Sequence, residues 1–278
     1  MNNPSYGIYR AGLNEVSVEI QYNSDEAREL IDFLLCDFPC SDGPVISRRF
    51  GVVVVGHPPK MSLWLGEKQY YYGDSKQLLA YFLINEIFYD CIVNNKNYQA
   101  VHAAAVASGS KGILLAGKSG SGKSSLAAWL TASGLTYLTD ELVLFSQEGR
   151  MQPMTRPLCL KPPSYSALKK RMNIDEKGIL QGRDGSMIPH RSLKPQWLTS
   201  TPTLDSVVFP TFIEGQAATL TKISGAVSCL KLMECYVNAR NIPGHGFKEI
   251  AKITRNAAAY ELKFGSFDGV LDVLSPLL

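Results

Sequence analysis

The stretch Gly117-Lys118-Ser119-Gly120-Ser121-Gly122-Lys123-Ser124 constrains this chain more than any other. It fits G-x-x-x-x-G-K-[S/T], the phosphate-binding loop or P-loop. An apolar run from Gly112 to Ala116 precedes it and predicts a buried strand. Ser125 to Leu130 follows and predicts the start of a helix. Strand, glycine loop and helix are the context in which the pattern has a mechanism. The glycines let successive backbone N–H groups turn inward as an anion cradle. The helix N-terminus adds about half a positive charge behind them. The expected nucleotide contacts are Gly117, Ser119, Gly120, Ser121, Gly122, Lys123, Ser124 and Ser125. Lys123 would reach the β- and γ-phosphates, and the Ser124 hydroxyl would hold Mg²⁺.

The rest of the chain narrows the class. Its 278 residues suit one large or two modest domains. At 45% hydrophobic and 19% charged, with a net charge of +3, the composition is that of an ordinary globular protein. It gives no argument for nucleic acid or a membrane as partner. The start, Met1 to Pro4, does not read as a signal peptide, and the longest apolar patches are too short to span a bilayer. The six cysteines are dispersed with no C-x-x-C pair, which predicts free thiols and a cytoplasmic setting.

Residues 1–98 read as a small α+β domain, a candidate for substrate recognition. Strands are expected at Tyr6–Tyr9, Val16–Ile20 and Arg49–Val55, and a hairpin over Ser62–Gly66 and Lys68–Tyr72. A helix capped by Ser24 runs to about Asp37, and an apolar helix capped by Asp74 runs to about Val93. Residues 99–278 read as the catalytic domain. One strand is expected from Ala100 to Ala107, carrying the polar intruder His102. Leu135–Leu138 forms the strand after the loop helix, ends in Thr139-Asp140-Glu141, and continues as strand over Leu142–Phe145. The stretch from Pro162 to Thr203 reads as a long irregular lid or substrate loop. Strands near Ser206–Phe209 and Ala259–Phe264, and helices over Ala226–Val237, Gly246–Asn256 and Phe267–Leu274, complete the pattern.

The acidic pair decides among P-loop classes. Asp140-Glu141 ends the strand directly after the loop helix, which would bring both carboxylates beside the loop on the adjacent strand. No L-S-G-G-Q-type or N-K-x-D motif occurs, which argues against transporter ATPases and Ras-like GTPases.

His102-Ala103-Ala104, the P-loop with its strand, and Leu138-Thr139-Asp140-Glu141 occur in an order and spacing that resemble the catalytic domain of HPr kinase/phosphorylase and its relatives. The later Arg156-Pro157 and Leu160-Lys161-Pro162 look like the divergent branch of that family, some of whose members phosphorylate a serine at the end of a precursor peptide, as in lasso-peptide pathways. The resemblance implies an α/β fold, a P-loop kinase domain of HPr-kinase type behind the smaller α+β domain. It implies an ATP- and Mg²⁺-dependent kinase acting on a serine of a peptide or small protein, and a homo-oligomer. It assigns Asp140 as the base, Glu141 and Ser124 to Mg²⁺, and His102 to orienting the base or touching phosphate. Arg156 and Lys161 become candidate phosphate or substrate contacts. Asp-Glu stands where HPr kinase/phosphorylases have Asp-Asp, and their Arg-led glycine signature is missing, which implies a kinase without phosphorylase activity. Two other readings compatible with the residues are a nucleotide-binding regulatory module and a small-molecule kinase.

Overall fold

The computed structural model describes residues 7–13, 16–39, 45–93, 97–172, 174, 176, 178–183, 185–194 and 201–278. The amino-terminal part holds β1 (Gly7–Leu13), β2 (Val16–Tyr22), α1 (Asp25–Leu35), β3 (Val45–Val55), β4 (Lys60–Leu65), β5 (Lys68–Gly73) and α2 (Lys76–Val93). Its strands form one sheet in sequence order. β2 and β3 are parallel and joined through α1, whereas the other pairs are antiparallel. Ser24 caps α1 as expected, its hydroxyl accepting from the Ala27 N–H. The cap of α2 is Ser75, which accepts from the Leu78 N–H, and not Asp74, which pairs with Lys60 instead. An apolar helix does not need its cap one residue earlier, because the hydroxyl nearest the first free N–H groups takes the role.

The second part begins with β6 (Gln99–Val101), β7 (Ala103–Ser108), β8 (Lys111–Ala116), α3 (Lys123–Ala132), β9 (Thr136–Thr139), β10 (Val143–Phe145), β11 (Met151–Gln152) and β12 (Leu158–Leu160). It continues with α4 (Pro162–Met172), β13 (Leu180–Gly182), β14 (Gly185–Ile188), β15 (Thr203–Phe212), β16 (Thr219–Ile223), α5 (Gly225–Met233), α6 (Phe247–Arg255), β17 (Ala258–Phe264) and α7 (Val270–Leu274). The main sheet has the order β16-β17-β15-β8-β7-β9. β8, β15 and β17 run parallel, and β7 runs antiparallel to both β8 and β9. The carboxyl ends of β8, β9, β15 and β17 therefore share one edge, where open α/β sheets bind their ligands.

Several expectations change here. The strand expected over Ala100–Ala107 breaks at His102: β6 pairs with β10 in a three-stranded sheet, while β7 joins the main one. The His102 N–H leaves both ladders and donates to the Cys235 carbonyl at 2.7 Å. The strand bearing the acidic pair is not adjacent to the P-loop strand, because β7 lies between them. Leu142–Phe145 does not continue β9 either. The chain turns at Glu141, whose φ of 82° is in the left-handed region, and enters the other sheet as β10. Much of the stretch from Pro162 to Thr203 is ordered structure, with α4 and the β13–β14 hairpin; residues 195–200 lie outside the described part, as do Tyr6, Cys40 and 94–96.

The core is layered around these sheets. Leu126, Ala127 and Leu130 of α3 bury one face against Ala104, Val106 and Leu115 of the main sheet. Alanines at 103, 104, 105 and 107, all fully buried, leave room for helices on both faces. The amino-terminal core takes in Ala100, Leu142, Leu144, Met154 and Met187 from beyond residue 98, so the two parts share apolar contacts.

Candidate active site

The P-loop closes tightly on its own lysine. Lys123 is the first residue of α3, and its Nζ donates to the carbonyls of Gly117 at 2.7 Å and Lys118 at 3.1 Å. It is only 7% exposed, more deeply set than a loop side chain is expected to be. Burial lowers its pKa, and the nearby Glu141 and Asp140 oppose that shift. Gly122, at φ 99°, precedes it; a Cβ there would come within 2.9 Å of the Phe264 ring, so only glycine fits. The Ser121 hydroxyl is buried with no hydrogen-bond partner among the described residues. An ammonium, an unpartnered hydroxyl and a glycine turn at a helix N-terminus fit the phosphates of a nucleotide.

Asp140 and Glu141 part company in space. Asp140 is 1% exposed. Its Oδ1 accepts from the Ser124 hydroxyl at 3.0 Å and its Oδ2 from the Cys159 N–H at 3.4 Å. Burial, then the neighbouring Glu141 carboxylate, pushes its pKa up to about 6, against the opposing pull of Arg156 and of its hydrogen bonds. Glu141 faces the open cleft, its side chain 41% exposed. His102 lies against it, with Nδ1 3.0 Å from the Glu141 carbonyl and 3.3 Å from its Oε2. The two points where the chain changes sheets, at His102 and at Asp140–Leu142, meet in these contacts. Thr139 anchors the second crossing, its hydroxyl donating to the Met154 carbonyl at 2.8 Å.

The cleft has a volume of ≈ 630 Å³. Its floor is Ser119, Gly120 and residues 122–125 of the P-loop and helix start, together with His102 and Glu141. Lys161 and the first turn of α4 form one wall, and Gly185 and Ser186 of β14 another. Gln77, Leu78 and Tyr81 of α2 complete it, contacts that sequence reasoning missed. Their signal was a polar and an aromatic side chain at one-turn spacing on a largely apolar helix, which reads equally as core packing. Cys159 was also missed; nothing in its local sequence marks its N–H as a partner for Asp140.

Of the residues predicted for the site, His102, Ser119, Gly120, Gly122, Lys123, Ser124, Ser125, Glu141 and Lys161 line this cleft. Arg156 does not. It is 1% exposed, with Nη1 on Asn85 Oδ1 at 3.4 Å, Nη2 on Cys159 Sγ at 3.1 Å and its guanidinium 5.2 Å from the Phe88 ring centre. The expected contact with phosphate or substrate is thereby corrected: the side chain is buried, and the neighbouring Cys159, Glu141 and Asp140 raise its pKa against the cost of that burial, holding the cation behind the acidic pair. Among the described residues, no group of three or more His, Cys, Asp or Glu side chains forms a ready-made metal site. Among the described residues, no helix is long and apolar enough to cross a membrane. The chain matches no protein-family model and no curated protein.

Proposed function

We propose that this protein is an HPr-kinase-like P-loop kinase that transfers the γ-phosphoryl group of ATP to a hydroxyl, most simply a serine of a peptide or small protein. The observation that carries this reading is the Ser124–Asp140 hydrogen bond at 3.0 Å, beside a cleft-facing Glu141. It couples the P-loop hydroxyl to a carboxylate and leaves a second carboxylate free to meet an acceptor. A module that only binds nucleotide needs the loop but not the second acid.

ATP would supply the phosphoryl group, and Mg²⁺, held by Ser124 with Asp140 behind it, would neutralise charge on the phosphate oxygens. Lys123 adds a fixed positive charge at the loop. Glu141 is the better base of the two acids, because a base has to touch the acceptor hydroxyl and Asp140 has both oxygens engaged in the interior. The hydroxyl proton would pass to a Glu141 carboxylate oxygen. His102 positions that carboxylate through its 3.3 Å contact. This exchanges the roles expected from the sequence, with Asp140 serving the cation and Glu141 the proton. Lys161 stands in the cleft wall, where it can meet an anionic acceptor or phosphate oxygen.

The test is to incubate the protein with γ-labelled ATP, Mg²⁺ and a panel of serine-containing peptides. Label on a serine hydroxyl is the expected result. Saturable ATP binding with no label moved to any peptide would favour the regulatory module, and label moved only to small hydroxyl compounds would favour a small-molecule kinase.

A further inference from the structure

Four strand ends share one edge of the main sheet, and the reading above uses two: the P-loop after β8 and the acidic pair after β9. The ends of β15 and β17 lie on the other flank of β8. Their last residues, Phe212 and Phe264, are register partners. Phe264 is buried, and its ring packs edge-on with that of Phe212 at 5.6 Å and 83°. Phe212 is 50% exposed, and Ile213 beside it is also exposed. This aromatic residue is fastened to the P-loop itself. Its N–H donates to the Ser121 carbonyl at 3.2 Å, and its Cβ lies 3.7 Å from where a Cβ on Gly122 would stand. The next N–H, of Ile213, donates to the Phe264 carbonyl at 2.9 Å.

We propose that Phe212 is the stacking platform of a nucleobase subsite at the carboxyl ends of β15 and β17. This rests on the kinase reading. In phosphoryl transfer the attacking and leaving oxygens lie roughly in line, on opposite sides of the phosphorus. The acceptor approaches Glu141 and His102, on the β7–β9 flank. The leaving nucleotide therefore departs toward the opposite flank, where β15 ends. An apolar ring whose backbone is tied to the P-loop and whose ring packs on Phe264 offers a π-face to any base and has few side-chain torsions to order on binding. Nothing in the fold requires the ring to be exposed there: the apolar contact with Phe264 could be made by an aliphatic side chain.

The experiment compares calorimetric binding of Mg²⁺-ATP with that of Mg²⁺-tripolyphosphate, which has the phosphates and no base. Wild-type protein is expected to bind ATP more tightly. Phe212→Ala is expected to weaken ATP binding by about 5- to 150-fold, the range for losing one base–aromatic stack, and to leave tripolyphosphate binding unchanged. Phe212→Leu keeps apolar bulk against Phe264 and should behave like the alanine variant, whereas Phe212→Trp should bind ATP at least as well as wild type. Equal weakening of both ligands in the leucine variant would reduce Phe212 to a prop for the P-loop and overturn the subsite. So would unchanged ATP affinity. Wild-type protein that bound tripolyphosphate as tightly as ATP would remove the base subsite and leave the phosphate site standing. Binding of neither ligand would remove the phosphate site as well.

Discussion

Adjacent acids in the sequence meet different surroundings, and this separates their effects. Glu141→Gln keeps the cleft shape and removes the proposed base, so kcat should fall by about 10²- to 10⁴-fold with ATP affinity little changed. Asp140→Asn should act mainly on Mg²⁺-dependent nucleotide affinity, through Ser124. Steady-state kinetics with ATP and Mg²⁺ varied separately would check the split; the reverse pattern would return the base to Asp140. Asp140 also makes a stability prediction. Its folded pKa is raised from 3.8 to about 6, so between those values the folded state binds the extra proton. Stability contributed at this site therefore falls as pH rises from about 4 to about 6 and levels off above. Measured without Mg²⁺, Asp140→Asn should gain melting temperature relative to wild type across that window. The gain corresponds to at most about 3 kcal/mol. A difference between the two proteins that is flat in pH would mean that Asp140 titrates normally.

At the scale of elements, α2 shows how a helix start serves a site. Its first turn brings Gln77, Leu78 and Tyr81 to the cleft, and Ser75 rather than Asp74 satisfies the first turn. Ser75→Ala should cost about 1 kcal/mol of stability. Asp74→Ala should cost little, because its partner Lys60 is an exposed surface pair. Chemical denaturation of the two variants checks this, and an equal loss in both would put the cap back at Asp74. The hairpin β13–β14 docks on the same helix end: a Cβ on Gly182 would come within 2.4 Å of Gln77 Oε1. Strand ends matter as much as helix starts. Breaking the strand at His102 and turning the chain at Glu141 are what put both side chains in the cleft.

Across the whole molecule, Arg156 ties the amino-terminal part to the site. It follows the acidic strand in sequence, yet touches Asn85 and Phe88 of α2 while its charge holds down the pKa of Asp140. Arg156→Met preserves much of the volume and leaves the buried acid without its cation. The expected loss is about 1–3 kcal/mol, the order for leaving buried polar groups uncompensated. It should be smaller at pH 5, where a protonated Asp140 needs no counter-charge, than at pH 8. Thermal melts at the two pH values would decide; a loss independent of pH would make Arg156 a packing residue only.

The sequence by itself determined the P-loop, its strand and helix, the cap at Ser24, the β4–β5 hairpin and the candidate acids. These depend on contacts within a few residues or on a glycine requirement that leaves no alternative. The tertiary structure alone decided which acid faces the cleft, since burial depends on what packs behind Asp140. It also decided the insertion of β7 between the strands of the two motifs, because strand order is set by long-range pairing that local periodicity does not encode. Arg156 reads as a phosphate or substrate contact until α2 is folded over it. Nothing local marks Tyr81 and Phe212 as exposed, because hydrophobic spacing reports an apolar face and does not say whether another element will cover it.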